Sequence, residues 1–269
     1  MTRETTDDQL LTEARAGKRA ALEELLERHE PQIYRFALRM CGAPQTAKDV
    51  LQETLLAAFK GLHDFRGEAR LSTWLFQVAR SFCSKANRRR AGEPTTHDPL
   101  DAPAASHVAT DASRAPDAVA HAREVGEVLR AALAALPEQQ REVIVLKDVQ
   151  GLPVDEVAAV LGESVAATKS RLHRARLELR GLLQGVLGDA APHAPCPELA
   201  LELAGYAAGE IDRSTCERME AHLSRCPRCC EACESLKSTV KLCSSVEGDQ
   251  VPAPIKAAIR AALAAQPMP

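Results

Sequence analysis

The sequence predicts an all-α protein: two helical domains joined by a flexible linker, followed by a small helical cysteine-rich domain. Three observations carry this. Aromatic residues make up only 3% of the 269 residues while hydrophobic residues reach 45%, a balance that favours aliphatic helix packing over sheets. Apolar residues recur at steps of three and four through residues 19–90 and again through 121–184. Between those stretches, residues 91–120 are rich in Ala, Pro, Asp, Ser and Thr and lose the periodicity, as a linker does.

In the first periodic stretch, Leu22, Leu25, Leu26, Ile33, Phe36, Ala37 and Met40 mark a helix over residues 19–41, which Pro31 should kink or divide. Gly42 is a stop signal. A second helix over 45–62 turns Val50, Leu51, Leu55, Ala58 and Phe59 to one side. Residues 63–72 read as a loop holding Phe65, Arg66 and Gly67. Ser72 can cap a third helix that runs to about Arg90. Trp74 and Phe82 at helical spacing read first as core, although aromatics beside Lys85, Arg88, Arg89 and Arg90 can also stack on unpaired bases.

In the second stretch, Val125, Leu129, Leu133 and Leu136 form a stripe ended by Pro137. Helices over 138–149, 153–161 and 164–183 follow. The last two, joined by a turn at Gly162 with Ser164 as cap, have helix-turn-helix proportions. The final helix carries Thr168, Lys169, Arg171, His173, Arg174, Arg176 and Arg180, with Leu172, Ala175 and Leu179 inward. A basic helix after a tight turn suits a DNA major groove, with its arginines on phosphates. Net charge is −3, so any affinity for nucleic acid is local.

Nine cysteines are present, and all but Cys41 and Cys83 fall between Cys196 and Cys243. That clustering suits metal chemistry more than a disulfide framework. His222, Cys226 and Cys229 form an H-x3-C-x2-C pattern, and His222 and Cys226 stand one helical turn apart. With Cys196 as a fourth donor the set suits tetrahedral zinc. Cys216, Cys230, Cys233 and Cys243 exceed the needs of one zinc, and clustered thiolates also suit softer ions such as copper(I) or cadmium. Ser214 and Glu217 read as a capping box that starts a helix. Residues 246–269 read as a loosely held tail with a short Ala-rich helix. No apolar run is long enough to cross a membrane and Met1–Leu11 does not read as a signal peptide, so a cytoplasmic location is expected. No Walker loop, H-E-x-x-H or G-x-S-x-G occurs, so neither catalysis nor a small-molecule substrate is expected.

The run Asp49 to Thr54, then Ala58-Phe59, Phe65-Arg66-Gly67-Glu68-Ala69, Ser72-Thr73-Trp74-Leu75 and Ala79-Arg80, resembles region 2 of extracytoplasmic-function (ECF) sigma factors. Leu136 to Val143, the helix-turn-helix and Lys169 to Arg176 resemble region 4. The resemblance implies domains at 1–92 (region 2), 93–120 (linker), 121–186 (region 4), 196–245 (cysteine-rich) and 246–269 (tail). It implies core RNA polymerase and promoter DNA as partners. Asp49, Gln52 and Glu53 would dock on polymerase. Phe65, Arg66, Trp74, Arg80, Lys85, Arg88 and Arg89 would serve the −10 element, and region 4 the −35 element. Ala167-Thr168 stands where Thr-Val is common, and Pro153 where a capping Ser or Thr is common, which leaves base preference open. Cys196, Leu203-Ala204-Gly205-Tyr206, Gly209-Glu210-Ile211 and His222 to Cys229 resemble zinc-binding anti-sigma domains. Fused behind a sigma factor, they look like the CorE type, which senses copper, cadmium or zinc directly. A constitutive sigma factor with structural zinc, and a helix-turn-helix regulator independent of polymerase, are the competing expectations.

Overall fold

The structure, a computed structural model, describes residues 5–62, 64–65, 67, 69–92, 116–184, 195–245 and 250–267. Residues 93–115 of the linker expected over 93–120, and the candidate Arg66, lie outside them; residues 116–120 of that stretch are helical instead. The chain divides into two compact units, one of residues 1–110 with 248–269 and one of residues 111–247. All the regular elements among the described residues are helical.

The first unit holds α1 (Asp7–Arg15), α2 (Arg19–Cys41), α3 (Pro44–Gly61), α4 (Leu71–Gly92) and α12 (Ala253–Ala264). The sequence reading missed α1, whose two apolar turns are too short for a clear stripe. It is set by a capping box: Thr6 Oγ1 accepts from the Gln9 N–H and Gln9 Oε1 accepts from the Thr6 N–H. Pro31 lies inside α2 without dividing it. Burying the predicted stripe on both sides of Pro31 outweighs the single hydrogen bond that it deletes, since each fully buried Leu or Phe contributes about 1.5–3 kcal/mol. Gly42 ends α2 at φ 75. The helix α4 starts at Leu71, so Ser72 lies inside it and is not its cap. Phe36 and Phe76 meet edge to face at 5.5 Å, and the Cys41 and Cys83 thiols touch at 3.4 Å, joining α2 to α4.

The helix α12 is seated on this bundle, not loosely held. Val251, Ile259 and Leu263 are buried. The Arg19 guanidinium donates to the carbonyls of Leu263 and Gln266 at the end of α12, satisfying acceptors that a helix end otherwise leaves bare. Arg260 pairs with Glu27 at 2.8 Å.

The second unit holds α5 (Pro116–Ala135), α6 (Glu138–Ile144), a π-helical turn (Val145–Val149), α7 (Val154–Leu161), α8 (Val165–Leu182), a 3-10 turn (Pro197–Leu199), α9 (Ala200–Ala207), α10 (Arg213–Leu223) and α11 (Pro227–Ser245). Gly162 closes α7 at φ 71, a left-handed position that a glycine takes without strain. Ser164 then caps α8 by accepting from the Ala167 N–H at 3.2 Å. The cap of α10 is Asp212, which accepts from the Thr215 N–H at 2.9 Å; the helix therefore begins before the expected Ser214. Two cores share α8. Leu172, Ala175 and Leu179 are buried against the helices before it. Leu177 packs against the cluster of Leu203, Ala204, Met219, Cys229, Ala232, Cys233 and Leu236.

Candidate metal centre and nucleic-acid interface

Four side chains from three short elements converge at the end of the cysteine-rich module. Cys196 stands just before the 3-10 turn, His222 in the last turn of α10, and Cys226 and Cys229 flank Pro227 at the start of α11. Their ligand atoms all lie within 4.8 Å of one another. Cys196 Sγ and Cys226 Sγ are 4.0 Å apart, close to the edge of about 3.8 Å expected when thiolates at about 2.3 Å surround a tetrahedral ion. The Cys196 N–H donates to Cys229 Sγ at 3.4 Å. The His222 Nε2 atom is buried and has no hydrogen-bond partner. An orphan of this kind costs about 1–3 kcal/mol, and ligation would remove the cost. Backbone N–H groups of Cys229 and Arg228 hold the Cys226 thiol below its usual range, while the neighbouring Cys229 and Cys226 sulfurs help push Cys196 up to about 11. Three thiols packed this closely ionise together only around a cation. The donor set fits a tetrahedral soft or borderline ion.

The other four candidate cysteines stand outside this group. Cys230 is exposed on α11 and Cys216, half-buried, donates to Glu220 at 3.5 Å. Cys233 and Cys243 are buried, and burial raises the Cys233 thiol. Cys233 lies one turn beyond Cys229 on the face that fills the module's core.

The module grips α8 through a buried cation. Arg176 is 1% exposed. It donates to Asp148 at 2.9 and 2.6 Å and to Glu210 at 2.8 and 3.1 Å. Lys147 lies 3.4 Å from the same Glu210. Burial alone would raise the Glu210 carboxyl, but its bonds to Arg176 and the Lys147 charge outweigh this and hold it below the usual range. Beside this clamp, Gly205 brings α9 against His173. A Cβ there would lie 2.7 Å from Ile211 Cγ2 and 3.2 Å from His173 Cε1. Burial, with Arg176 nearby, lowers the His173 pKa.

These contacts sort the predicted DNA-reading residues. Arg176 is enclosed, and His173 is half-buried under α9. Thr168 is buried and donates to the Ser164 carbonyl at 3.1 Å. Arg171 pairs with Glu163 at 2.6 Å, and Lys169 is half-buried. Arg174 is exposed, as are Ala166, Ala167 and Val165 at the start of α8. On the first unit, Asp49 and Glu53 are exposed on α3 and Gln52 is half-buried. Phe65 is buried with its ring 5.3 Å from that of Trp74, and Arg15 lies over the Phe65 ring at 5.8 Å. Trp74 also closes on Gly61, where a Cβ would lie 3.3 Å from its ring. Lys85, Arg88 and Arg89 are exposed along α4 and Arg80 is half-buried. Asp148 and Lys147 were not singled out in the sequence, and Gly205 and Glu210 stood there only within the anti-sigma-like runs, because the partners of all four are distant in sequence.

Residues 25–93 match the Sigma-70 region 2 family and residues 126–179 match Sigma-70, region 4. The ECF RNA polymerase sigma factor SigM of Mycobacterium tuberculosis is 33% identical over 180 residues, which span 67% of this chain and 86% of that relative. EcfG of Rhodopseudomonas palustris is 35% identical over 57% of this chain and 80% of its own length. Among solved structures, CnrH in complex with the cytosolic domain of CnrY is 30% identical over 67% of this chain and 98% of that one, with a TM-score of 0.49. The chain belongs to the ECF RNA polymerase sigma factor family. It is accordingly a transcription-initiation factor that works with core RNA polymerase and promoter DNA, and not an enzyme. Both family matches end before Cys196. Among the described residues, no helix is long and apolar enough to cross a membrane.

Proposed function

We propose that this sigma factor directs promoter-specific transcription under the control of a metal ion held by Cys196, His222, Cys226 and Cys229, as the CorE-type resemblance implies. The supporting observation is the convergence of three thiols on an orphaned, buried His222 Nε2, within the same module that clamps Arg176 of the helix-turn-helix. The ion, copper, cadmium or zinc, would tie the two ends of the module together. Region 4 would read the −35 element from the exposed start of α8. Region 2 would dock on polymerase through Asp49, Gln52 and Glu53 and serve the −10 element near Phe65 and Trp74, acting in the cytoplasm. An ion shifts the balance only by binding one arrangement of the module more tightly than another.

A constitutive factor with a structural ion has one observation in its favour: Cys229 is fully buried in the module's core. Run-off transcription with core polymerase, titrated with copper, zinc and cadmium at controlled redox poise, separates the two. Gated output that disappears in a Cys226→Ser/Cys229→Ser protein supports metal control. Output indifferent to every ion leaves a sigma factor with a structural metal.

A further inference from the structure

Cys196 and Glu210 sit at opposite ends of one short rigid element. Cys196 leads through the 3-10 turn into α9, and Glu210 follows α9 by way of a glycine turn at Gly209, φ 70. The Glu210 N–H is fixed to the Gly205 carbonyl at 2.9 Å. Eight helical residues span about 12 Å, and Leu203 and Ala204 in the middle of α9 are completely buried. A packed helix of this length moves as a body, so a displacement at Cys196 is carried to Glu210.

The far end of that body meets a cation built to let it go. Arg176 divides its bonds between two carboxylates, Asp148 beside the helix-turn-helix and Glu210 on the cysteine-rich module. The Asp148 side chain is 3% exposed and the Glu210 side chain 16%. When Glu210 leaves, Asp148 still pairs Arg176, so no buried charge is stranded; water then takes up the freed N–H groups. Removing Asp148 instead would leave the more deeply buried side of Arg176 unpaired, with Glu210 alone holding it from the more exposed side. Glu210 is therefore the detachable partner and Asp148 the permanent one. Detachment also lifts α9 off His173, exposing the side of α8 that Leu177 now shares with the module.

We propose that Glu210 is a positioning residue that latches the cysteine-rich module to the DNA-reading helix, with α9 as the strut between latch and metal ligands. The signal that works the latch rests on the metal-gating reading; the latch itself does not. The test uses full-length Glu210→Gln, which keeps shape and removes charge, beside Gly205→Ala, which crowds the same interface from α9. Three readouts are taken with zinc or copper present and after chelation: amide hydrogen exchange, metal stoichiometry, and run-off transcription with core polymerase. Glu210→Gln is expected to raise exchange about tenfold across α9 and residues 173–177, leave α2–α4 unchanged and leave stoichiometry unchanged, because two charge-assisted bonds are weakened. Gly205→Ala should act in the same direction. Any metal response of wild-type transcription should flatten in Glu210→Gln. Exchange in α9 and 173–177 that matches wild type in both variants overturns the latch, whatever the transcription result. Wild-type output indifferent to metal, with raised exchange in the variants, overturns the gating reading and leaves the latch standing.

Discussion

Both carboxylate oxygens of Asp148 accept from Arg176, at 2.9 and 2.6 Å, across 28 residues of sequence. The pair braces the π-helical turn against α8 with almost no solvent access. Losing Asp148 leaves a buried cation half paired, so Asp148→Ala is expected to destabilise the second unit by about 3–5 kcal/mol. Glu210→Gln, which leaves that pair intact, should cost about 1–2 kcal/mol. Chemical denaturation followed by circular dichroism checks this order; equal losses would contradict it.

On the metal-binding proposal, chelation should loosen the cysteine-rich module before the rest of the second unit. A ligand at a thousandfold its Kd adds about 4 kcal/mol of stability, and Cys229, one of the four proposed donors, is also part of the module's core. Chelation is therefore expected to lower the melting temperature and to expose Cys229 and Cys233 to a thiol reagent. Labelling that stays confined to Cys230 and Cys216 after chelation would count against this.

Glu30 gives the first unit a pH dependence. Burial, with Glu27 nearby, pushes its carboxyl up to about 7, against a smaller pull downward from Lys256 and Arg260 on α12. Its Oε1 has no hydrogen-bond partner. Between about pH 4.5 and pH 7 the folded state keeps a proton that the unfolded state has lost. Stability therefore falls as pH rises through that window and levels off above it. Glu30→Gln should remove the slope and stabilise the unit at pH 8. A parallel slope in wild type and variant, measured by urea unfolding, would rule Glu30 out as its source.

Arg174 is exposed on the outer face of α8 and donates at 3.3 Å to the Ser170 carbonyl of its own helix. Arg174→Ala is expected to weaken binding to −35 duplex DNA and to reduce the salt slope by about one, as for loss of one phosphate contact. Fluorescence anisotropy against salt measures both. An unchanged slope would place Arg174 off the phosphates.

The stripes of α2, α3 and α8 and the Gly162 turn were legible in the sequence because each is a local signal: a period, a glycine that must be left-handed, a cap next to its helix. The gathering of His222, Cys226 and Cys229 was legible for the same reason, within one turn and one tight corner. The contacts of Glu210 were not. It lies in an irregular turn, 34 residues from Arg176, and no pattern in a turn names a distant partner. Cysteine spacing likewise could not say which thiols on α11 face the ligand group. Cys230 and Cys229 are neighbours in sequence, yet about 100° of helical rotation turns one to solvent and one to the core. The Ala-rich helix α12 was visible, but its seat was not, because it depends on Arg19 capping it from the other end of the chain.

That seat makes the region 2 unit discontinuous: residues 5–92 are completed by residues 250–267. On the ribosome, the four-helix part emerges early, while the face of α2 that carries Glu27 and Glu30 waits for α12 until the helix-turn-helix and the cysteine-rich module have been made. A chain whose first unit is complete has therefore already acquired its cysteine cluster, and synthesis order alone ensures that this sigma factor matures no sooner than the module that clamps its helix-turn-helix.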